Sequence, residues 1–324
     1  MAFTIARLYP CAMDGLLFLC PADPRAAVLA TGAYQAALDL LPGPAAVICP
    51  PRAAPLYRAA PRLETLEAMP DSLFGALRAM QRFRKTRFAL MADFRGWRML
   101  RAGFRAGRVI RREDAEARGS VVEQWRALLG GAPVTPKLWF DEEARLEAQT
   151  RAGEGPFILI APGAADERGR WPAERYAAVA RRLATGAFPG ARAVLVGGPE
   201  DRVEARALGS SLDADGVKVR DLVGSLDLLA AGAVAARAAL CIGGDGAWSY
   251  AAAAAGAPTL ALFGPSDERV LAPLGPRARC LRGRAFEDLM AMAQTGAPPR
   301  SLMDDIGVDA VEAAALDLLR AGGL

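Results

Sequence analysis

Residues Ala239 to Asp267 read A-L-C-I-G-G-D-G-A-W-S-Y-A-A-A-A-A-G-A-P-T-L-A-L-F-G-P-S-D, and this stretch decides the fold. Two apolar runs, Ala239–Ile242 and Thr259–Phe263, have strand length, and each is followed by glycine. The Ala-rich piece between them has high helix propensity. Strand, loop, helix and strand in that order make the right-handed crossover unit of an open parallel sheet. The loop Gly243–Gly246 then falls at the carboxyl end of the first strand, where such sheets bind ligands. Its three glycines let backbone N–H groups approach a ligand, and the helix beginning near Ala247 adds a positive dipole end. Asp245 is the one acid of this loop. A carboxylate placed there either caps the helix or holds a sugar hydroxyl. Gly264-Pro265-Ser266-Asp267 ends the next strand and is expected beside the first loop on the same sheet edge.

Outward from this unit, the same rhythm continues in both directions. Toward the N-terminus, Leu16–Cys20, Ala45–Cys49, Leu63–Ala68 and Phe88–Ala92 read as strands, with helices over Arg25–Leu41 and Arg52–Ala60 between them. Asp71–Phe83 has helical spacing, with apolar residues at Leu73, Phe74, Leu77 and Met80. Gly130–Gly155 reads as an interdomain region containing a linking helix, Asp141–Arg151. Phe157–Ala161 opens a second sheet, followed by a helix over Ala173–Ala184, a strand over Ala193–Gly198 and a tail helix, Gly307–Arg320. Strands alternating with helices predict an α/β chain with parallel sheets.

Composition narrows the chemistry. A chain of 324 residues suggests two domains of ordinary size. No apolar run approaches the roughly 18 residues of a membrane-spanning helix, and no basic segment precedes an apolar one at the start, so a cytoplasmic protein without a signal peptide is expected. The five cysteines, Cys11, Cys20, Cys49, Cys241 and Cys280, are scattered and mostly inside apolar runs, which suits reduced core thiols. Histidine is absent, so Ser-His-Asp and Cys-His catalysis and most zinc sites are excluded. A general base must then be a carboxylate or, less often, Lys, Tyr or Cys. The net charge of +4 rests almost wholly on arginine and permits an anionic partner. The segment from Arg78 to Arg118 is dense in arginine. It reads as a solvated surface or as the wall of a site for a phosphorylated or carboxylated molecule.

From Ile242 to Asp267 the chain resembles, without a gap, the pattern nDtGxxHlAaalgkPvvaLfGPtdp of the ADP-heptose:lipopolysaccharide heptosyltransferase family. Asp245 falls on the family aspartate, and Ala251–Gly256, Pro258 and Gly264-Pro265-Ser266-Asp267 fall on theirs. Gly246-Ala247 replaces the family Thr-Gly, and Tyr250 stands where the family has histidine. The pattern hPGa…KrWp is matched by Pro162, Gly163, Trp171 and Pro172. Gly169 stands at the family lysine, leaving Arg168 or Arg170 to supply that charge. Trp171 reads as a core anchor. Asp201, with Glu200 beside it, takes the position of the acid that binds the nucleotide ribose. The first half is similar more loosely, through Leu29–Gly32, Ala36–Leu38 and Phe88–Gly96. There the family Gly-Asp, which carries the catalytic base, is Arg25-Ala26.

The resemblance implies two Rossmann-like domains with parallel sheets facing a central cleft, the GT-B fold. It places an acceptor-side domain at 1–150, a nucleotide-sugar domain at 151–305, and a C-terminal helix, 306–324, packing back on the first. It implies inverting, metal-independent transfer of a sugar, heptose, from a nucleotide-diphosphate sugar such as ADP-heptose, with no cofactor. The acceptor is a lipopolysaccharide core or another anionic surface glycan or glycolipid, met with peripheral contact at the inner face of the inner membrane; no nucleic acid is involved. Donor-binding residues are then Pro162, Gly163, Arg168, Arg170, Glu200, Asp201, Gly244, Gly246, Ala247, Trp248 and Gly264. Catalytic residues are Asp245 and, three residues ahead of the family position, Asp23, which reads equally as the cap of the helix starting at Pro24. Arg98, Arg101 and Arg105 are expected to line the acceptor side. Two other readings compete. One is a catalytically silent homologue that binds a nucleotide sugar or a glycan-assembly partner, motivated by the missing Gly-Asp. The other, a dinucleotide oxidoreductase, is weak, because no strand is followed by a clean G-x-G-x-x-G.

Overall fold

The computed structural model describes residues 15–70, 72–116, 118–164, 166–294 and 302–322. Cys11 and the first apolar run of the chain lie outside them. The chain divides into two compact units, Met1–Trp139 and Phe140–Leu324.

The first unit runs β1 (Leu16–Leu19), α1 (Pro24–Leu38), β2 (Ala45–Cys49), α2 (Ala54–Tyr57), β3 (Leu63–Ala68), α3 (Leu73–Phe83), β4 (Arg87–Asp93), α4 (Arg98–Ala102), β5 (Arg105–Arg111) and α5 (Val121–Leu128). Its sheet is parallel in the order β3-β2-β1-β4-β5. β1 is wholly buried, as an unbroken apolar run in a parallel sheet covered on both faces must be. The order reverses between β1 and β4, so the switch point lies at the carboxyl ends of these two strands. Asp23, in the loop after β1, and Asp93, the last residue of β4, lie at this end. α3 inverts the face that its larger apolar residues suggest. Ala76, Ala79 and Phe83 pack with Phe88, Leu100 and Phe104, while Leu73, Phe74 and Leu77 face solvent. A Cβ on Gly75 would stand 2.9 Å from the Pro70 carbonyl oxygen, so the start of the helix lies against the segment that leads into it.

The second unit runs α6 (Glu142–Ala152), β6 (Phe157–Ala161), α7 (Ala173–Thr185), β7 (Arg192–Leu195), α8 (Arg202–Ala214), β8 (Val219–Asp221), α9 (Leu228–Ala235), β9 (Leu240–Gly244), α10 (Ala247–Ala254), β10 (Thr259–Phe263), β11 (Ala278–Arg282), α11 (Phe286–Gln294) and α12 (Val308–Ala321). Its parallel sheet has the order β11-β10-β9-β6-β7-β8, which reverses between β6 and β9. β9, α10 and β10 form the crossover unit read from the sequence.

Two domain expectations are corrected. The unit boundary falls at Trp139/Phe140 rather than at residue 150, because the linking helix α6 packs on α9 of the second unit. The C-terminal helix belongs to the second unit as well. Val311, Ala314, Ala315 and Leu318 of α12 join one apolar cluster with Ala180 and Leu183 of α7 and Leu260 and Leu262 of β10. Arg182 of α7 ties it down through Asp309 at 2.6 Å and Glu312 at 2.8 Å.

Cys20, Cys49 and Cys241 are free thiols buried in the cores. Burial pushes the Cys20 and Cys241 thiols up to about 12, which leaves them unreactive. No helix among the described residues is long and apolar enough to cross a membrane.

Candidate active site

In the second unit, the loops after β6 and β9 meet at the switch point. A Cβ on Gly244 or Gly246 would stand 2.9 and 3.0 Å from the Gly163 carbonyl oxygen. These glycines are therefore needed for one loop to lie on the other. Gly264 has the same reason: its Cα abuts Leu302 and Met303, with the Leu302 carbonyl oxygen 3.0 Å from a built Cβ. The α10 N-terminus has Gly246 as its cap and no side-chain cap bond. Ala247 and Trp248 are half-buried in the first turn of this helix, whose amides point along the helix axis toward the loop.

Asp245 does not cap α10. It is buried, and its Oδ1 accepts from the Tyr250 hydroxyl at 2.9 Å. The same hydroxyl lies 2.9 Å from the Leu271 carbonyl oxygen. Tyr250, in the position where the resembled pattern has histidine, is thus a side chain that holds this carboxylate. Sequence reasoning missed the pairing. A tyrosine among alanines reads as core, and its five-residue offset from Asp245 spans a loop-to-helix junction.

The other residues expected on the donor side stand in loops at the same sheet edge. A Cβ on Gly163 would land on the Asp201 carboxylate. Asp201 is buried and accepts from the Gly198 N–H at 2.9 Å. Burial, followed by repulsion from Glu200 and Glu204, raises its carboxyl above the usual range despite that bond and Arg170. Glu200, its neighbour, is exposed. Arg170 bonds Glu204 and lies 3.9 Å from Asp201, so two acids already offset its charge. Arg168 is exposed and bonds Asp166 within its own turn at 2.6 Å. Pro162 precedes these loops in the segment after β6. Trp171 is a core anchor: its Nε1 donates to the Ile306 carbonyl at 2.9 Å, and its ring meets Tyr176 edge-on at 4.8 Å.

In the first unit, Asp23 caps α1, accepting from the Arg25 N–H at 2.8 Å, and also pairs with the Arg25 guanidinium at 2.8 Å. Burial works to raise its carboxyl, but the Arg25 bonds and charge outweigh burial and hold it below the usual range. Ala26 is buried. The three arginines expected to form one wall separate. Arg105 opens β5 in register with Arg87, at the amino edge of the sheet, away from the Asp93 end. Arg101 turns inward, bonding buried Asp93 at 3.0 Å and Glu113 at 2.6 Å. Arg98 alone of the three lines a cavity of about 490 Å³, together with Arg95, Gly96, Arg112, Glu113 and Gln124. Arg95 also stacks over Trp97 at 5.2 Å. Arg95, Arg112 and Gln124 were missed because they arrive from three separate segments, with no shared motif.

The model of glycosyltransferase family 9 (heptosyltransferase) matches residues 86–295, more than half of the chain. The chain belongs to this family. Members with solved structures share its fold. A family 9 glycosyltransferase from Veillonella parvula is 18% identical with a TM-score of 0.80, over 97% of this chain and 100% of the other. The ADP-heptose lipopolysaccharide heptosyltransferase II of E. coli is 21% identical with a TM-score of 0.73, over 96% and 100%. E. coli heptosyltransferase WaaC, solved with ADP-2-deoxy-2-fluoro heptose, is 16% identical with a TM-score of 0.67, over 93% and 99%. No curated protein matches in sequence. The family 9 chain is a glycosyltransferase built of two Rossmann-like parallel-sheet domains, the GT-B fold.

Proposed function

We propose that this family 9 glycosyltransferase transfers heptose from ADP-heptose, with inversion, to an anionic acceptor of the lipopolysaccharide-core class, in the cytoplasm. The observation that carries the reading is the α10 N-terminus. It lacks a side-chain cap and opens beside buried Asp245 at the β6/β9 switch point. The donor diphosphate lies against the Ala247 and Trp248 amides, with Arg168 adding charge, and the nucleoside reaches Glu200 and Asp201. Asp245, oriented by Tyr250, holds a hydroxyl of the donor sugar. The ADP-sugar complex of WaaC supports this choice of donor.

In the reaction, the acceptor oxygen forms a bond to the anomeric carbon as the carbon–oxygen bond to the diphosphate breaks. ADP leaves with the electron pair, and its developing charge is met by the helix amides. Acceptor anions meet Arg98, Arg95 and Arg112 at the first-unit cavity, where arginine forks suit phosphate or carboxylate. The acceptor proton goes to a carboxylate. Asp23 stands in the loop after β1, but its ion pair with Arg25 weakens it as a proton acceptor. An anionic group of the acceptor itself is the second choice of base.

The test is ADP release from ADP-heptose in the presence of a deacylated core oligosaccharide, with the anomeric configuration of the product read by NMR. The reading expects ADP release that depends on acceptor and an inverted linkage. Hydrolysis without transfer, or a retained configuration, contradicts it.

A further inference from the structure

Residues 264–268 form a loop between β10 and β11. Its carbonyl groups lie outside the sheet ladder and need donors from elsewhere. Arg282, the last residue of β11, supplies them. Its Nη1 donates to the Gly264 carbonyl oxygen at 2.6 Å, its Nη2 to the Ser266 carbonyl oxygen, and its Nε to the Glu268 carboxylate at 2.9 Å. One guanidinium thus grips the loop at every second residue. Its side chain is only 10% exposed, with the Phe286 ring of α11 centred 5.6 Å from Cζ and the Glu268 carboxylate offsetting its charge. The planar fork of arginine reaches three such acceptors at once, whereas lysine donates from a single point.

This loop touches both sides of the proposed donor site. In the sheet Leu262 pairs with Gly244, so the chain leaving β10 runs alongside the loop of Asp245 and Gly246. On its other side the Pro265 ring lies against Gly169, where a Cβ would stand 3.2 Å from the ring's Cγ and Cδ. Arg168 and Arg170 flank that glycine. Burial first, and then Glu268 and Asp245, push the Cys280 thiol of β11 up to about 12, so the partner of Arg282 and the site carboxylate act on one side chain. A shift of the 264–268 loop would therefore be felt at the start of α10 and in the turn after β6 together.

We propose that Arg282 is a positioning residue of the donor site. Its fork sets the 264–268 loop against the Asp245 loop and the Gly169 turn, and so fixes the two walls between which the donor diphosphate lies. Arg282 acts through the loop and does not touch the donor. The proposal rests on the reading that an ADP-sugar binds at the α10 N-terminus.

The experiment measures ADP binding to the intact protein and its variants by calorimetry, well below the unfolding midpoint of each. Arg282→Lys keeps the charge and a bond to Glu268 but cannot hold both carbonyls, and should weaken ADP binding by at least ~10-fold. Hydrogen exchange in this variant should quicken at the amides of residues 264–268 and 246–249 and keep its wild-type rate in β6 and β7. Arg269→Gln is the control. Arg269 is exposed on the flank of the same loop and pairs with the Asp267 and Glu287 carboxylates. Its loss should leave ADP affinity within roughly 2-fold of wild type. An equal loss in Arg269→Gln, or exchange that quickens throughout the second unit, overturns the proposal. If the wild type binds ADP and Arg282→Lys binds it equally well, the donor reading stands and this proposal fails. A wild type that binds no ADP defeats both.

Discussion

At the scale of the residue, the pair Asp245 and Tyr250 separates a structural role from a catalytic one. Asn at 245 still accepts from the Tyr250 hydroxyl, so Asp245→Asn should unfold near the wild-type temperature. If the carboxylate holds the donor sugar in the transition state, turnover falls at least ~100-fold, equivalent to about 2.7 kcal/mol. Tyr250→Phe leaves the carboxylate in place but less fixed. It should lower turnover by roughly 10-fold and stability by about 1 kcal/mol. Equal turnover by Asp and Asn forms would leave Asp245 a structural residue. Asp23 makes a prediction of a different kind. Its carboxyl is held below the usual range by Arg25, against burial, so it stabilises the fold above the ordinary aspartate value and loses that contribution as pH falls through its lowered one. Asp23→Asn keeps the cap and removes the ion pair. In urea unfolding, the gap between wild type and this variant should be open at neutral pH and close on acidification below about pH 4. A gap that is constant with pH means the ion pair contributes nothing. Asp245 was legible because a lone acid in a glycine loop at a strand end has few roles. Asp23 was legible only as two alternatives, of which the geometry displays the cap.

At the scale of the element, the inward turn of Arg101 changes what can be mutated. Asp93 is fully buried and its other bonds are to the Arg95 and Gly96 amides, so Arg101→Ala strands a buried charge. That should cost about 3–5 kcal/mol in denaturant unfolding. Reversing Arg98, Arg101 and Arg105 together therefore tests folding rather than acceptor binding. Arg98→Glu alone should raise the apparent Michaelis constant for the acceptor and leave donor affinity unchanged; lost donor affinity would move Arg98 to the donor side. Gly246→Val likewise tests packing as well as donor binding. The added side chain meets the Gly163 backbone, and a loss of about 1–3 kcal/mol is expected whatever happens to donor binding. An unchanged melting temperature would show that the two loops can part. These limits were not readable from the chain, since glycine in a strand-end loop looks the same whether a ligand or another loop lies against it. Strand positions were readable where both faces are covered: β2, β6 and β10 begin and end where their apolar runs do. β5 was not, because R-A-G-R-V-I-R belongs to an edge strand paired on one side only, and its arginines read as open surface.

At the scale of the whole molecule, the parallel-sheet class and the two-domain count followed from the repeated strand and helix rhythm. The placement of α12 did not, because an amphipathic tail helix fits any apolar groove. Its contacts with α7 and β10 make it part of the second unit's core, the same unit in which the proposed donor site lies. Binding of the donor should consequently stabilise the unit that holds α12. The most direct measurement is thermal unfolding of the wild-type protein with ADP-heptose and with GDP-, UDP- and CMP-sugars at equal concentration. At ~100 times its dissociation constant a ligand stabilises by roughly 2.7 kcal/mol. For a unit of this size that raises the midpoint by about 5–10 °C. The account predicts that rise for ADP-heptose and no comparable rise for the other three. A rise with a GDP-, UDP- or CMP-sugar and none with ADP-heptose would contradict it.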